Sequence, residues 1–127
     1  NMIEDIEKGK DVEVATEVGK GHAGVVTSKG EKPGKTMALR ADVDALPIEE
    51  QTELPLKSKN PGVKHACGHD GHTAYLLVFA DFLIQLKENI PVTIKDVHQH
   101  AEETQPGGPT SVAESVILDA VDYIFRI

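Results

Sequence analysis

Short apolar runs separated by glycine, proline and charged residues divide this chain into strand-length segments. Alternating apolar and polar positions, or a short continuous apolar run between turn residues, are typical of β-strands. The segments that fit are residues 11–18, 23–27, 36–41, 92–97 and 121–127. A Pro-Gly turn within 31–34 joins the second segment to the third and predicts a hairpin between them. Residues 42–64, with scattered prolines and charges, are predicted to be mostly loop.

One segment between the third and fourth predicted strands has the pattern of a helix. Residues 73–88 are apolar on nearly every face between Leu76 and Ile84, which predicts a helix that is buried on two sides. Pro91 follows its predicted end. A second helix is predicted to begin near Pro109, because proline is favoured at the first helical position.

The order of these elements predicts an α/β fold with right-handed connections between parallel strands. Binding sites in open α/β sheets form at the carboxyl ends of strands. Asp42 ends one predicted strand, residues 98–103 follow another, and residues 65–72 precede the first helix. We therefore expect these three segments to converge at one edge of the sheet.

Composition narrows the classes of function. The 127 residues suffice for one ordinary domain. The net charge of −8 argues against nucleic acid and anionic membranes as partners, because both attract a basic surface. No apolar run approaches the ~18 residues of a membrane span. The single cysteine excludes an intrachain disulfide and predicts a reduced thiol in a cytoplasmic protein.

Five of the six histidines lie in two short segments, and the first of these segments also holds the only cysteine. It reads HACGHDGH over residues 65–72. Thiolate, imidazole and carboxylate groups bind divalent transition metals, so Cys67 and His69 are candidate ligands. Two alternatives remain open. A lone cysteine is most often a small buried apolar residue, and His65, His69 and His72 also have the spacing of a solvated helix start.

The second segment, HQHAEE over residues 98–103, contains an adjacent pair of glutamates. One carboxylate of such a pair could bind a metal while the other acts as a general base, and the alternative is a solvated acidic turn. Asp42 and Asp44 lie in the sequence RADVDALP. They either cap a loop after a strand or orient a metal ligand.

Three motifs resemble a known family. They read ALRADVDALPIEE over 38–50, HACGHDGHT over 65–73 and HQHAEETQPGG over 98–108. They resemble the metal-dependent amidohydrolases typified by hippurate hydrolase, bacterial N-acyl-amino-acid deacetylases and plant indoleacetyl-amino-acid hydrolases. These enzymes belong to the wider aminoacylase and carboxypeptidase G type of metallopeptidases. The resemblance extends over most of the chain.

The resemblance implies a phosphorylase/hydrolase-like catalytic domain with a mixed central sheet flanked by helices. It also implies two divalent ions (zinc, manganese, cobalt or nickel) and hydrolysis of the amide bond of N-acyl amino acids by a metal-activated water. Cys67, His69 and Glu103 match the metal ligands. Glu102 matches the general acid/base, and Asp42 matches an acidic residue beside the ligands. Further matched residues, which would support the ligands without being first-choice ligands, are His65, His72, Asp44 and His100.

The chain also departs from the family pattern. His100 stands where proline is usual, and Arg126 stands where glycine is usual. The smaller lid and dimerisation domain and the remaining histidine ligands have no counterpart in the sequence, so residues 1–127 are interpreted as a partial metallohydrolase catalytic domain. The parent enzyme would be a homodimer or larger. The alternative is a catalytically incompetent remnant that binds metal or a partner chain without turnover. A structural zinc module is disfavoured, because it needs four closed ligands and more often has two or more cysteines.

Overall fold

The computed structural model describes residues 12–17, 23–30, 34–100 and 119–126. Its strands are β1 (Glu13–Glu17), β2 (Ala23–Lys29), β3 (Thr36–Asp42), β4 (Thr93–Gln99) and β5 (Tyr123–Arg126). Helix α1 (His69–Leu86) lies between β3 and β4 and continues into a 3₁₀ turn at Lys87–Asn89. In this part of the chain, no helix is long and apolar enough to cross a membrane. The helix predicted near Pro109 lies outside the described residues.

The five strands form one mixed sheet in the order β1-β2-β4-β3-β5. Strand β2 is antiparallel to β1 and β4, whereas β3 is parallel to β4 and β5. The predicted mixed α/β architecture is therefore confirmed, with β3, α1 and β4 as its parallel crossover unit. The predicted hairpin between β2 and β3 is wrong, because β4 lies between these strands and pairs with both.

Two glycines explain why the Pro-Gly turn does not close a hairpin. The backbone N–H of Gly30 donates to the carbonyl of Val92 (3.2 Å), just before β4 begins. A Cβ atom on Gly30 would lie 2.2 Å from the Ile90 carbonyl oxygen, and one on Gly34 would lie 1.6 Å from that of Pro91. Both glycines therefore lie against the backbone that enters β4, and only glycine leaves room for this contact.

Helix α1 buries one side on the sheet. Leu76, Leu77, Ala80 and Leu83 are buried there, and Leu77 packs with Val26 of β2. The opposite side is exposed, and it includes Tyr75, Val78 and Phe82 at 58%, 71% and 55% exposure. The prediction that the helix is buried on two sides is therefore wrong for this structure.

The exposed apolar surface continues from the helix onto the sheet. An apolar groove of about 220 Å³ is lined by Met37, Leu39, Tyr75, Phe79 and Ile94. The side chains of β5 next to it are also about half exposed. Because Met37, Leu39 and Ile94 share the groove with α1, they mark the sheet face that carries the helix. Alternation along a strand places Arg40 and Asp42 of β3 on the opposite face.

The predicted loop over 42–64 is confirmed, apart from one bridge between Leu46 and Lys64. Neighbouring glutamates fix its turns. The Glu50 carboxylate accepts from the backbone N–H of Thr52 (2.9 Å) and lies 3.6 Å from the ammonium of Lys64. The pKa of Glu50 is lowered to about 2, and the largest cause is the hydrogen bond from the backbone N–H of Thr52. The positive charge of Lys64 also lowers this pKa, by a smaller amount. Glu49 accepts from the backbone N–H of Gly62 (2.8 Å). The loop that leads to Cys67 is thus held in a defined shape.

Candidate active site

The carboxyl ends of β3 and β4 meet beside the start of α1. Asp42 and Gln99, the last residues of these strands, are register partners in the parallel pair. The hydroxyl of Thr73, in the first turns of α1, donates to the backbone carbonyl of Asp42 (3.0 Å). Strand β5 runs parallel to β3 and ends at the same edge. The predicted convergence of the strand ends with the helix start is confirmed for the described residues.

His69 is the first residue of α1, and its side chain is fixed by Asp44. The imidazole is buried, with 4% of the residue exposed. Its Nδ1 lies 3.0 Å from the Asp44 carboxylate and 3.1 Å from the Asp44 backbone carbonyl. Both partners only accept hydrogen bonds, so Nδ1 carries the proton and donates. When the ring carries only this proton, Nε2 keeps a lone pair, which is the arrangement of a metal-binding histidine held by a carboxylate. The alternative of a solvated helix start is excluded for His69.

Cys67 is exposed and lies immediately before the glycine that caps α1. Gly68 has φ 98°, a left-handed conformation that favours glycine. The helix therefore starts at His69, four residues earlier than the sequence pattern predicts, because Gly68 turns the chain into it. The exposed thiol excludes the alternative of a buried apolar cysteine. A helix amino terminus favours negative charge, which suits a thiolate at this position.

The other predicted site residues are only partly gathered. His65 is exposed, whereas His72 is half-buried with its ring 6.3 Å from that of His69. His100 is half-buried after the end of β4. Glu102 and Glu103 lie outside the described residues. Within the described ranges, no three His, Cys, Asp or Glu side chains are grouped closely enough to hold a metal ion. Among the described residues, Cys67 and His69 are the candidate ligands of a metal centre.

Asp42 is fully buried at this edge, but its partners are not metal ligands. One carboxylate oxygen accepts from Arg40 (2.6 Å) and lies 3.4 Å from the side-chain amide of Gln99. No ligand pattern in the sequence marks Arg40, Gln99 or Thr73 as part of the site. The pattern in β3 gave one usable signal, because an arginine two residues before an aspartate on one strand lies on the same face.

Asp44→Asn tests the orientation of His69. The amide removes the negative charge beside the imidazole and leaves a weaker acceptor for its N–H, while keeping the size of the side chain. In the full-length protein, metal affinity should fall by about 10–100-fold, the range for a lost ligand-orienting partner. The measurement is zinc titration against a chromophoric chelator. Asp70→Asn, an exposed residue in the first turn of α1, is the matched control and should keep wild-type affinity. Equal affinities in all three proteins would contradict the proposed orienting contact.

His98 lies on the helix-bearing face of the sheet and is completely buried. Neither ring nitrogen has a hydrogen-bond partner within the part of the chain that the structure describes. Burial in these surroundings lowers the pKa of His98 to about 4. A protonated imidazole is therefore excluded from this position until the pH is well below the ordinary range for histidine.

This burial predicts an acid-dependent loss of stability. Between pH 6.5 and 4, the unfolded chain takes up a proton at His98 that the folded chain does not. The free energy of unfolding should therefore fall by about 1.4 kcal/mol per pH unit as pH decreases through this window. His98→Phe should remove this contribution, and urea unfolding at several pH values measures the slope. The same substitution at the exposed His65 should keep it. Parallel slopes for wild type and His98→Phe would refute the prediction.

Comparison with known proteins identifies the family. The model of the peptidase family M20/M25/M40 matches residues 38–127, and the chain belongs to this family. It is 50% identical over 95 residues to an N-acyl-L-amino acid amidohydrolase of Geobacillus stearothermophilus, covering 75% of this chain and 26% of that protein. The chain thus spans about a quarter of that relative's length.

Solved structures show the same fold. A protein from methicillin-resistant Staphylococcus aureus superposes with a TM-score of 0.93 at 50% identity, covering 98% of this chain and 33% of that one. The Bacillus subtilis YXEP protein, described as a dinuclear metal binding peptidase from the M20 family, superposes with a TM-score of 0.91 at 37% identity. That match covers 98% of this chain and 34% of the YXEP chain. The predicted family and mixed α/β architecture are confirmed.

Proposed function

We propose that this chain forms part of the catalytic domain of a metal-dependent amidohydrolase that cleaves the amide bond of N-acyl amino acids. One observation carries the proposal. The buried His69 is fixed through Nδ1 by Asp44, which leaves Nε2 as a lone-pair donor two residues from the exposed Cys67. A histidine that served only the core would not need this combination of a carboxylate partner and an adjacent open thiol.

The donor set fits a divalent transition metal. Cys67 and His69 would supply sulfur and nitrogen ligands, and Glu103 would supply a carboxylate. Two metal ions are proposed because the YXEP protein, which shares this fold, is described as dinuclear. When bound, such ions polarise a substrate carbonyl and make water acidic enough to give up a proton near neutral pH. Asp44 would keep the imidazole of His69 aligned.

Glu102 is proposed to move the proton. It would accept a proton from the water whose oxygen bonds to the amide carbon. It would then return that proton to the nitrogen as the carbon–nitrogen bond breaks, so that a carboxylic acid and a free amino acid leave. The adjacent Glu103 would hold metal rather than a proton, which requires the two carboxylates to point in different directions. The resemblance of the HQHAEE segment to the family supports this division.

The substrate class rests on relatives. The Geobacillus stearothermophilus protein is named an N-acyl-L-amino acid amidohydrolase. The full-length protein, after dialysis against a chelator, should hydrolyse hippurate or N-acetyl amino acids only when zinc, manganese, cobalt or nickel is restored. Released amino acid can be measured by chromatography, beside metal content. A protein that binds stoichiometric metal but releases no amino acid from any of these substrates would favour the non-catalytic remnant.

A further inference from the structure

A buried arginine ties together the ends of the two strands that lead into the site. Arg40 donates through Nε to the side-chain oxygen of Gln99 (2.7 Å) and through Nη2 to the carboxylate of Asp42 (2.6 Å). The side chains of Arg40 and Asp42 are only 10% and 2% exposed. Gln99 is also buried, and its amide nitrogen lies 3.4 Å from the same oxygen of Asp42. One guanidinium therefore spans β3 and β4 on the face opposite α1.

These contacts lie at the ends of the two strands that lead into the proposed metal centre. The backbone N–H of Val43, directly after β3, donates to the carbonyl of Gln99 (2.7 Å). The backbone of Asp42 is also fixed, because its carbonyl accepts from Thr73 of α1 (3.0 Å). Asp44, which holds His69, follows two residues later. On the other strand, Gln99 precedes Glu103 by four positions in the sequence.

The chemistry of these contacts requires arginine. The two acceptors are on different strands, and a planar guanidinium presents separate N–H groups to both in a fixed geometry. A lysine ammonium is a point charge and cannot reproduce this fork. Buried ion pairs seldom increase stability over apolar residues of similar size, because both charges lose their hydration. Stability alone therefore gives little reason to bury Arg40 and Asp42 at this edge.

We propose that Arg40 is a positioning residue, which holds the end of β3 against the end of β4 and thereby fixes the backbone that carries Asp44, the partner of His69. The inference rests on the proposed function, since it concerns how this chain presents its ligands to a metal. Arg40 itself contacts neither metal nor substrate. Its effect passes through Asp42 and Gln99.

The test compares Arg40→Lys with wild type in the full-length protein. Zinc alone is titrated against a chelator at a temperature where circular dichroism shows each protein fully folded, so that stability differences do not enter. Zinc affinity should fall by about 10–100-fold, as for other residues that orient ligands indirectly. The absorption of the cobalt-substituted protein, which reports the cobalt–thiolate bond of Cys67, should change as well. Gln99→Met, which keeps the shape and the Arg40–Asp42 pair, should show the same effects more weakly and serves if Arg40→Lys does not fold.

Lys29→Met is the matched control, because it removes a basic residue of β2 that pairs with Glu13 at the exposed surface. It should keep wild-type zinc affinity and cobalt absorption. Unchanged affinity and absorption in the folded Arg40→Lys and Gln99→Met proteins would overturn the positioning role while leaving the proposed function intact. A wild-type protein that binds no zinc or cobalt would overturn the proposed function, and the inference with it.

Discussion

Glu102→Gln in the full-length protein should keep bound metal while turnover falls by about 10²–10⁴-fold, the usual effect of losing a general acid/base. Glutamine has nearly the same size as glutamate but cannot accept the proton of the attacking water. Substrate binding should persist, because the metal ligands are unchanged. The measurement is metal content by mass spectrometry beside the rate of amino acid release.

Glu103→Gln is the matched comparison, because it makes the same chemical change one residue later. It removes an anionic ligand from a dication, so metal occupancy should fall first. Activity should be partly recovered at excess metal, which Glu102→Gln should not show. If Glu102→Gln empties the site while Glu103→Gln stays filled, the two roles are reversed.

Cys67→Ala should remove bound metal and activity together. The thiol is exposed at the amino terminus of α1, so its removal opens no cavity in the core and the fold should persist. Because a ligand is lost outright, the fall in metal affinity should exceed the ~10–100-fold typical of a lost orienting partner. Zinc titration and circular dichroism on the same samples separate metal loss from unfolding.

Ala66→Ser is the control for that variant, since residue 66 is an exposed neighbour with no ligand role. It should retain wild-type zinc affinity. Full metal stoichiometry in Cys67→Ala would show that the thiolate is not a ligand. The proposed site would then have to be rebuilt around His69 and the glutamates.

The local pattern of apolar residues predicted the strands and the helix well, but it predicted the pairing of the strands less well. All five strands lie where short apolar runs predict them, because a buried strand needs such a run. The predicted pairing of β2 with β3 was wrong. A turn motif shows only that two neighbouring segments can pair, whereas the competing partner β4 lies more than fifty residues further along the chain. The predicted start of α1 was too late. The helix begins directly after Gly68 because that residue adopts a positive φ angle, and a sequence shows that glycine is present but not which φ angle it adopts.

The candidate site shows the same division. Cys67 and His69 could be predicted as metal ligands from sequence, because thiol and imidazole groups concentrated in one short segment with glycines are typical of metal binding. Asp44 was only one of two plausible aspartates until its contact with His69 separated it from Asp42. The role of Arg40 depends on Gln99, which is 59 positions away in sequence, so no local motif contains the pair. Glu102 and Glu103 lie outside the described residues, and their assignment stays a prediction.

The central place of β4 has a consequence for folding during synthesis. Strands β2 and β3 both pair with β4, and β4 is the last of these three strands to leave the ribosome. At ~5–20 residues per second, the chain from the end of β3 to the end of β4 takes about 3–11 s to appear. During that interval β2 and β3 each have an edge without its native neighbour. If the Pro-Gly segment between them closed a hairpin in that interval, the hairpin would have to open before β4 could enter. Rapid closure of that turn would therefore slow folding, since correct assembly requires the two strands to remain apart until β4 arrives.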